Sequence, residues 1–306
     1  WPLHRTGAWP PAIAPAAPLR YDAPMMQLRY VRVDVFTDRA LMVNPLAVFT
    51  NARGVSDATM QRLAREMNLS ETVFLLPPTD GGHCRLRIFT PTQEVPFAGH
   101  PVLGTAFVVG EPLTVDVLAL ETGKGTVYVR LERENARGVF GWMNQPLPTV
   151  APFPETDALL RALGVTATAL PVERYDNGPT HAMVCLATHA EVAALRPDLT
   201  ALAALDALCV SAFAYDGAEA LTRVFAPAGG VPEDPATGSA AGPLALHLAR
   251  HGRLAWGAGV RIAQGESVGR PSELHARASG SDAEVTCVEV GGSAVIIGRG
   301  ELRLPI

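Results

Sequence analysis

Apolar and polar positions alternate along most of this chain, and only a few stretches repeat with helical spacing. Leu28–Phe36 sets Val31, Val33 and Val35 against Tyr30, Arg32 and Asp34, the pattern of a half-buried strand. Asn44–Phe49 reads as its hairpin partner. Ser56–Met67 changes period: Ser56 is a cap, and Met60, Leu63, Ala64 and Met67 share one helical face. Strands follow at Thr72–Leu76 and Arg85–Phe89, then a short helix at Gly104–Val109. Leu113–Leu120, Thr126–Glu132 and Val139–Met143 again alternate. Further on come a helix at Asp157–Leu163 and strands at Pro171–Tyr175, Ala182–Leu186, Val210–Tyr215 and Leu221–Phe225. A helix at Ala240–Arg250 and strands at Val260–Gln264, Leu274–Ala278, Glu284–Val290, Val295–Ile297 and Glu301–Leu304 complete the pattern. Strands outnumber helices and few β-helix-β units alternate. The pattern predicts an α+β fold with mostly antiparallel or mixed sheets and about one long helix in each half.

Two stretches say the same thing. Phe89-Thr90-Pro91 and Val95-Pro96 recur as Phe225-Ala226-Pro227 and Val231-Pro232. His100-Pro101-Val102-Leu103-Gly104-Thr105-Ala106 recurs as Asp234-Pro235-Ala236-Thr237-Gly238-Ser239-Ala240. The repeat predicts two halves of similar structure, each ending a strand in a turn that opens a helix. Prolines cluster over Gln145–Pro154, which places the boundary there. Residues 26–147 then form an N-terminal domain with Glu71 and His100, and 148–306 a C-terminal domain with Asp234 and Ser239. Residues 1–25, rich in proline and alanine without a period, read as a poorly ordered leader.

Each turn offers chemistry. Ser239 or Thr237 can cap the second helix, and Glu233 and Asp234 sit just before it, where the helix dipole keeps a carboxylate ionised. Unpaired N–H groups at Gly104–Ala106 and Gly238–Ala240 suit an anion. If the halves face each other, His100, Asp234 and both sets of donors meet in one cleft. The plainer alternative is a pair of capped helices with no ligand.

Composition narrows the partners. With 48 % hydrophobic and 18 % charged residues the chain can bury full cores, and a net charge of −5 with no basic block disfavours nucleic acid and acidic membrane surfaces. Cys84, Cys185, Cys209 and Cys287 are scattered with no CxxC pair, which indicates neither a zinc site nor a disulfide framework and fits a cytoplasmic protein. No apolar run reaches the ~20 residues of a membrane helix. Neither a dinucleotide fingerprint nor a phosphate loop occurs, so no cofactor is signalled. His83 reads as surface, and His181, His247, His251 and His275 as structural.

Asn68-Leu69-Ser70-Glu71-Thr72-Val73-Phe74, Phe97-Ala98-Gly99-His100-Pro101 and Glu233-Asp234-Pro235-Ala236-Thr237-Gly238-Ser239-Ala240 resemble the PhzF-like proteins of phenazine biosynthesis. Gly265, Arg270-Pro271-Ser272 and Val290-Gly291-Gly292 fit that pattern too, so the resemblance covers about residues 28–304. It implies a diaminopimelate-epimerase-like fold: two similar domains related by a pseudo-twofold, each wrapping a sheet around a central helix. It also implies a cofactor-free isomerase of the trans-2,3-dihydro-3-hydroxyanthranilate type and a homodimer. The proton-carrying glutamate would be Glu71, supported by His100, Asp234 and Ser239, with Ser70, Gly99 and Gly238 lining the substrate site. Val102 stands where many relatives have threonine, which removes a hydroxyl from the pocket edge.

From the residues alone, Glu71 at a helix-to-strand turn is an ordinary solvated carboxylate unless it faces a closed cleft. There, desolvation raises its pKa toward neutrality, as proton transfer requires. The expected substrate is a small carboxylic acid and no metal is expected. A racemase or epimerase of the same fold is the first alternative. Such enzymes use a thiol on each side of the substrate carbon, whereas the helix starts here hold His100 and Asp234. A small-molecule-binding protein without turnover is the second alternative.

Overall fold

The structure is a computed structural model that describes residues 25–41, 44–113, 115–135, 138–207, 209–217 and 219–305. The leader expected at residues 1–25 lies outside the described residues except for Met25, which opens the first strand. The first part of the chain runs β1 (Met25–Val35), β2 (Asn44–Phe49), α1 (Asp57–Met67), β3 (Glu71–Leu76), β4 (Cys84–Phe89), β5 (Glu94–Val95), α2 (Gly99–Leu113), β6 (Val117–Thr122), β7 (Gly125–Asn135) and β8 (Gly138–Asn144). Next come β9 (Thr149–Pro152), α3 (Thr156–Leu163), β10 (Glu173–Asp176), β11 (Thr180–Cys185), α4 (His189–Ala194), α5 (Leu199–Ala203) and β12 (Cys209–Tyr215). The chain ends with β13 (Glu219–Ala226), β14 (Val231–Asp234), α6 (Gly238–Arg250), β15 (Gly259–Gln264), β16 (Ser272–Gly280), β17 (Val285–Gly292) and β18 (Ala294–Pro305). The expected α+β class holds: a mixed sheet with few helices.

The pairings of the first part are repeated by the second. β1·β2 is antiparallel, β2·β3 parallel, β3·β4 antiparallel, β4·β6 parallel, and β6·β7 and β7·β8 antiparallel. β10·β11, β11·β12, β12·β13, β13·β15, β15·β16 and β16·β17 run through the same sequence of senses. The short strands β5 and β14 each fold back antiparallel on β4 and β13. Each parallel step needs a crossover, and α1, α2, α4 with α5, and α6 supply them.

Two strands depart from the alternation pattern. The proline-rich stretch expected as a boundary holds β9, which pairs with β10. The two short strands expected at the C-terminus are one strand, β18, and it pairs along β1 from Met25 to Val35. Period-two alternation marks a strand but does not name its neighbour.

α2 and α6 are buried on nearly every side, as Val102, Leu103, Ala106 and Phe107 in α2 and all of Gly238–Ala249 in α6 illustrate. A helix that is apolar all round must be enclosed by other elements. Both belong to one large core shared by the two parts of the chain. α3, α4 and α5 cover a second cluster around Phe225, and α1 covers a third around Phe49 and Phe74. Among the described residues no helix is long and apolar enough to cross a membrane.

Candidate active site

The two repeated turns meet. A Cβ added to Gly99 would lie 2.8 Å from the backbone of Gly238 and Ser239, and one added to Gly238 would strike the Phe36 ring at 2.8 Å. Only glycine allows this approach, which sets the N-termini of α2 and α6 against each other.

α2 begins at Gly99, five residues before the expected Gly104, because Gly99-His100-Pro101 forms its first turn, where proline is well tolerated. His100 therefore sits within the first turn. The amides of Gly104–Ala106 are inside the helix, and the donors without an intrahelical partner are those of Gly99 and His100. In α6 they are Gly238 and Ser239, since the Ala240 amide already donates to the Thr237 carbonyl. Thr237 holds the N-cap position but does not cap the helix; its hydroxyl donates to Asp234 Oδ2 at 2.6 Å.

Glu71 opens β3 and His100 opens α2, and the two side chains face each other with Glu71 Oε2 3.4 Å from His100 Nε2. The alignment is too poor for a hydrogen bond, so both buried atoms lack a partner. On the far side of the imidazole, Asn44 Nδ2 lies 3.5 Å from His100 Nδ1 and donates to Asp234 Oδ1 at 3.0 Å. It also reaches the Ala236 carbonyl at 3.2 Å. The reverse amide orientation would point Asn44 Oδ1 at a carboxylate, so Nδ2 must face Asp234. This assigns His100 Nδ1 as acceptor and Nε2 as the protonated nitrogen facing Glu71.

Electrostatics follow from burial. Desolvation, then the Asp234 charge, pushes Glu71 up to about 8. Desolvation pushes His100 down to about 3, so it is neutral near pH 7. Asp234 is not held low as the helix start suggested. Burial raises it to about 6, while hydrogen bonds from Thr237 and Asn44 oppose the rise. Glu233 turns away from the site toward Arg223, with Arg223 Nε 2.9 Å from Glu233 Oε1. The site thus holds a carboxyl poised near neutrality, a neutral imidazole donor and a largely ionised carboxylate.

Of the other expected residues, Ser70 is half-buried directly before Glu71, Gly99 and Gly238 form the contact between helices, and Ser239 is buried in the first turn of α6. Val102 is fully buried in the core. A groove of about 500 Å³, lined in part by Phe36, Arg39, Arg261 and Ser272, contains none of Glu71, His100 or Asp234.

Supporting residues come from segments that carry no motif. Pro243 lacks the N–H that would bond the Ser239 carbonyl, and Asn177 Nδ2 takes its place at 3.0 Å. Gln145 Nε2 donates to the Gly238 carbonyl at 2.7 Å. Gln264 accepts from the Thr237 amide at 3.0 Å and donates to the Asp234 carbonyl at 2.7 Å. Cys209 opens β12 as Glu71 opens β3. Thr72 pairs with Phe89 and Val210 with Phe225, the two repeated phenylalanines, so Glu71 and Cys209 hold matching register positions. The Asn44 partnership left a signal only in hindsight: a polar residue at the start of an otherwise apolar strand.

Among the described residues, one cluster elsewhere has metal-ligand character: Glu173, His247 and His251, with Tyr175 OH 2.8 Å from Glu173 Oε2. Arg250 lies 3.5 Å from the other Glu173 oxygen and supplies the positive charge an ion would bring. His247 and His251 thus act as partners of a half-buried carboxylate.

Residues 33–300 match the family described as phenazine biosynthesis-like protein. The chain belongs to this family. It is an isomerase of the phenazine biosynthesis-like group: it is 48 % identical over 276 residues to a trans-2,3-dihydro-3-hydroxyanthranilate isomerase of Pseudomonas aeruginosa, covering 90 % of this chain and 99 % of that one. The PhzF-family phenazine biosynthesis protein of Bacillus anthracis shares the fold at a TM-score of 0.80 and 22 % identity, over 90 % of this chain and 99 % of that chain. A hydroxyproline epimerase from Agrobacterium vitis shares it more distantly, at a TM-score of 0.61 and 13 % identity, over 91 % and 92 %.

Proposed function

We propose that this phenazine biosynthesis-like protein isomerises a small carboxylic acid without a cofactor, by moving a proton through Glu71. The observation that carries the proposal is the Glu71 carboxyl facing His100 within the electrostatic influence of Asp234, where two helix N-termini meet. Ionised Glu71 accepts a proton from one substrate carbon and, as the acid, returns it to another while the double bond shifts between them. A carboxyl near neutrality can do both. His100 Nε2–H and the amides of Gly99, His100, Gly238 and Ser239 hold the substrate carboxylate, together with Ser70 and Ser239. Asp234 accepts from a substrate amine or hydroxyl.

The substrate class follows the relatives' name: trans-2,3-dihydro-3-hydroxyanthranilate or a related cyclic acid. The test is to incubate the protein with that compound in D₂O and follow carbon-bound hydrogen by NMR. Product formation with Glu71-dependent exchange is expected; no turnover of this compound would defeat the substrate assignment. Dialysis against a chelator should leave turnover intact.

A two-base racemase is the second reading, favoured by one observation: Cys209 matches Glu71 in register. Burial, with the charges of Asp234 and Glu71, pushes the Cys209 thiol up, so it is not a ready thiolate. That disfavours it as a base. A protein that only binds its ligand has no use for the raised Glu71.

The repeated pairings support two domains related by a pseudo-twofold, 26–147 and 148–306, with β18 crossing back to β1. The reading as a cytoplasmic homodimer rests on the resemblance and composition; sedimentation at micromolar concentration showing monomer alone would refute the dimer.

A further inference from the structure

The two turns that present His100 and Asp234 are held by the same device. Arg87 on β4 forks onto Glu94 of β5, with Nε 2.8 Å from Oε1 and Nη2 2.6 Å from Oε2. Arg223 on β13 forks onto Glu233 of β14, with the corresponding distances 2.9 and 2.7 Å. Each guanidinium carbon lies 5.1 Å over the ring two residues on, Phe89 in one case and Phe225 in the other. The remaining nitrogen of each arginine ties the turn to a helix. Arg87 Nη1 reaches Asp57 at the start of α1, and Arg223 Nη1 donates to the Leu195 carbonyl, 2.8 Å away, at the end of α4.

β5 has two residues, and β14 pairs with β13 at only two positions across an irregularity. Ladders so short cannot hold a turn by themselves. A bidentate arginine–carboxylate pair supplies both orientation and attraction, which a lysine cannot reproduce. Glu233 immediately precedes Asp234, whereas Glu94 lies several residues before His100.

We propose that Arg87 and Arg223 are paired positioning residues that fix the two catalytic turns, and that Arg223 governs the placement of Asp234. Neither arginine is placed in contact with substrate. The proposal rests on the functional reading for its effect on rate but not for its effect on Asp234 itself.

The experiment compares wild type with Arg223→Lys, Arg87→Lys and Arg277→Lys. Lysine keeps the charge and loses the fork. Arg277 is a control, a similar arginine paired with Glu289 and stacked on Trp142, away from both turns. The first readout needs no substrate: the titration of Asp234 by NMR of ¹³C-labelled aspartate carboxyls, assigned with Asp234→Asn. Loosened hydrogen bonds from Asn44 and Thr237 should move the midpoint upward by about half a unit or more in Arg223→Lys and not in Arg277→Lys. The second readout is turnover of trans-2,3-dihydro-3-hydroxyanthranilate. kcat should fall about tenfold or more in Arg223→Lys and less in Arg87→Lys, with KM changed by less than about threefold. An unmoved Asp234 midpoint in folded Arg223→Lys overturns the proposal. So does a lowered melting temperature with an unmoved midpoint, which marks a purely structural pair. A moved midpoint in an enzyme that never turns over the compound upholds the clamp and removes the substrate assignment instead.

Discussion

Glu71→Gln separates the chemistry of this site from its cost to stability. Burial and Asp234 raise the Glu71 carboxyl from 4.5 to about 8. A carboxyl whose folded-state pKa is raised holds its proton longer in the folded than in the unfolded chain. Its contribution is therefore favourable below about pH 4.5 and is lost as pH rises toward about 8, by at most ~1.4 kcal/mol per pH unit. At pH 7 the accumulated loss is on the order of 3 kcal/mol, an upper figure because the Glu71 side chain keeps 19 % exposure. Glutamine cannot ionise, so this slope disappears. Asp234, raised to about 6 for similar reasons, contributes to both proteins, and His100, lowered to about 3, stays neutral throughout. The assay is chemical denaturation of wild type and Glu71→Gln at about pH 5 and about pH 8, with deuterium exchange into substrate measured on the same samples. The variant should gain stability relative to wild type as pH rises, while exchange falls by about 10²–10⁴. Parallel stability profiles with undiminished exchange would refute both the placement of Glu71 and its role.

Gly99→Ala forces a methyl to within 2.8 Å of the Gly238 and Ser239 backbone and should cost about 1–3 kcal/mol together with most turnover, read by melting temperature and kcat. Asn44→Ala strips donors from Asp234 Oδ1 and the Ala236 carbonyl; a loss of about 1–3 kcal/mol in denaturation and slower turnover are expected. Asp234→Asn sets an amide against the Asn44 and Thr237 donors, so kcat and KM should both worsen in steady-state kinetics, unlike the kcat-dominated loss in Glu71→Gln.

The local elements were legible because their causes are local. Ser56 accepts from the Thr59 amide and caps α1 as its pattern requires, and the repeated proline–glycine turns do open helices. The repeat pairs Gly104 with Gly238, but the helix starts that meet are Gly99 and Gly238, so which glycines touch was set by where each helix begins. The start of α2 was misread because Gly99-His100-Pro101 resembles a loop until proline is recognised as a first-turn residue. Only the tertiary structure brought Asn44 to Asp234, 190 positions away in sequence, and Gln145, Asn177 and Gln264 to the first turn of α6. A hydrogen bond between distant segments imposes no periodicity on either one. The titration of Asp234 belongs to the same class: it stays largely ionised near pH 7 as the helix start argued, but burial, set by everything packed around it, raises its pKa to about 6. The chain's own pattern determined which residues stand at strand and helix ends. Which of those ends face one another, and how much water they lose in doing so, was decided by the packing of the whole.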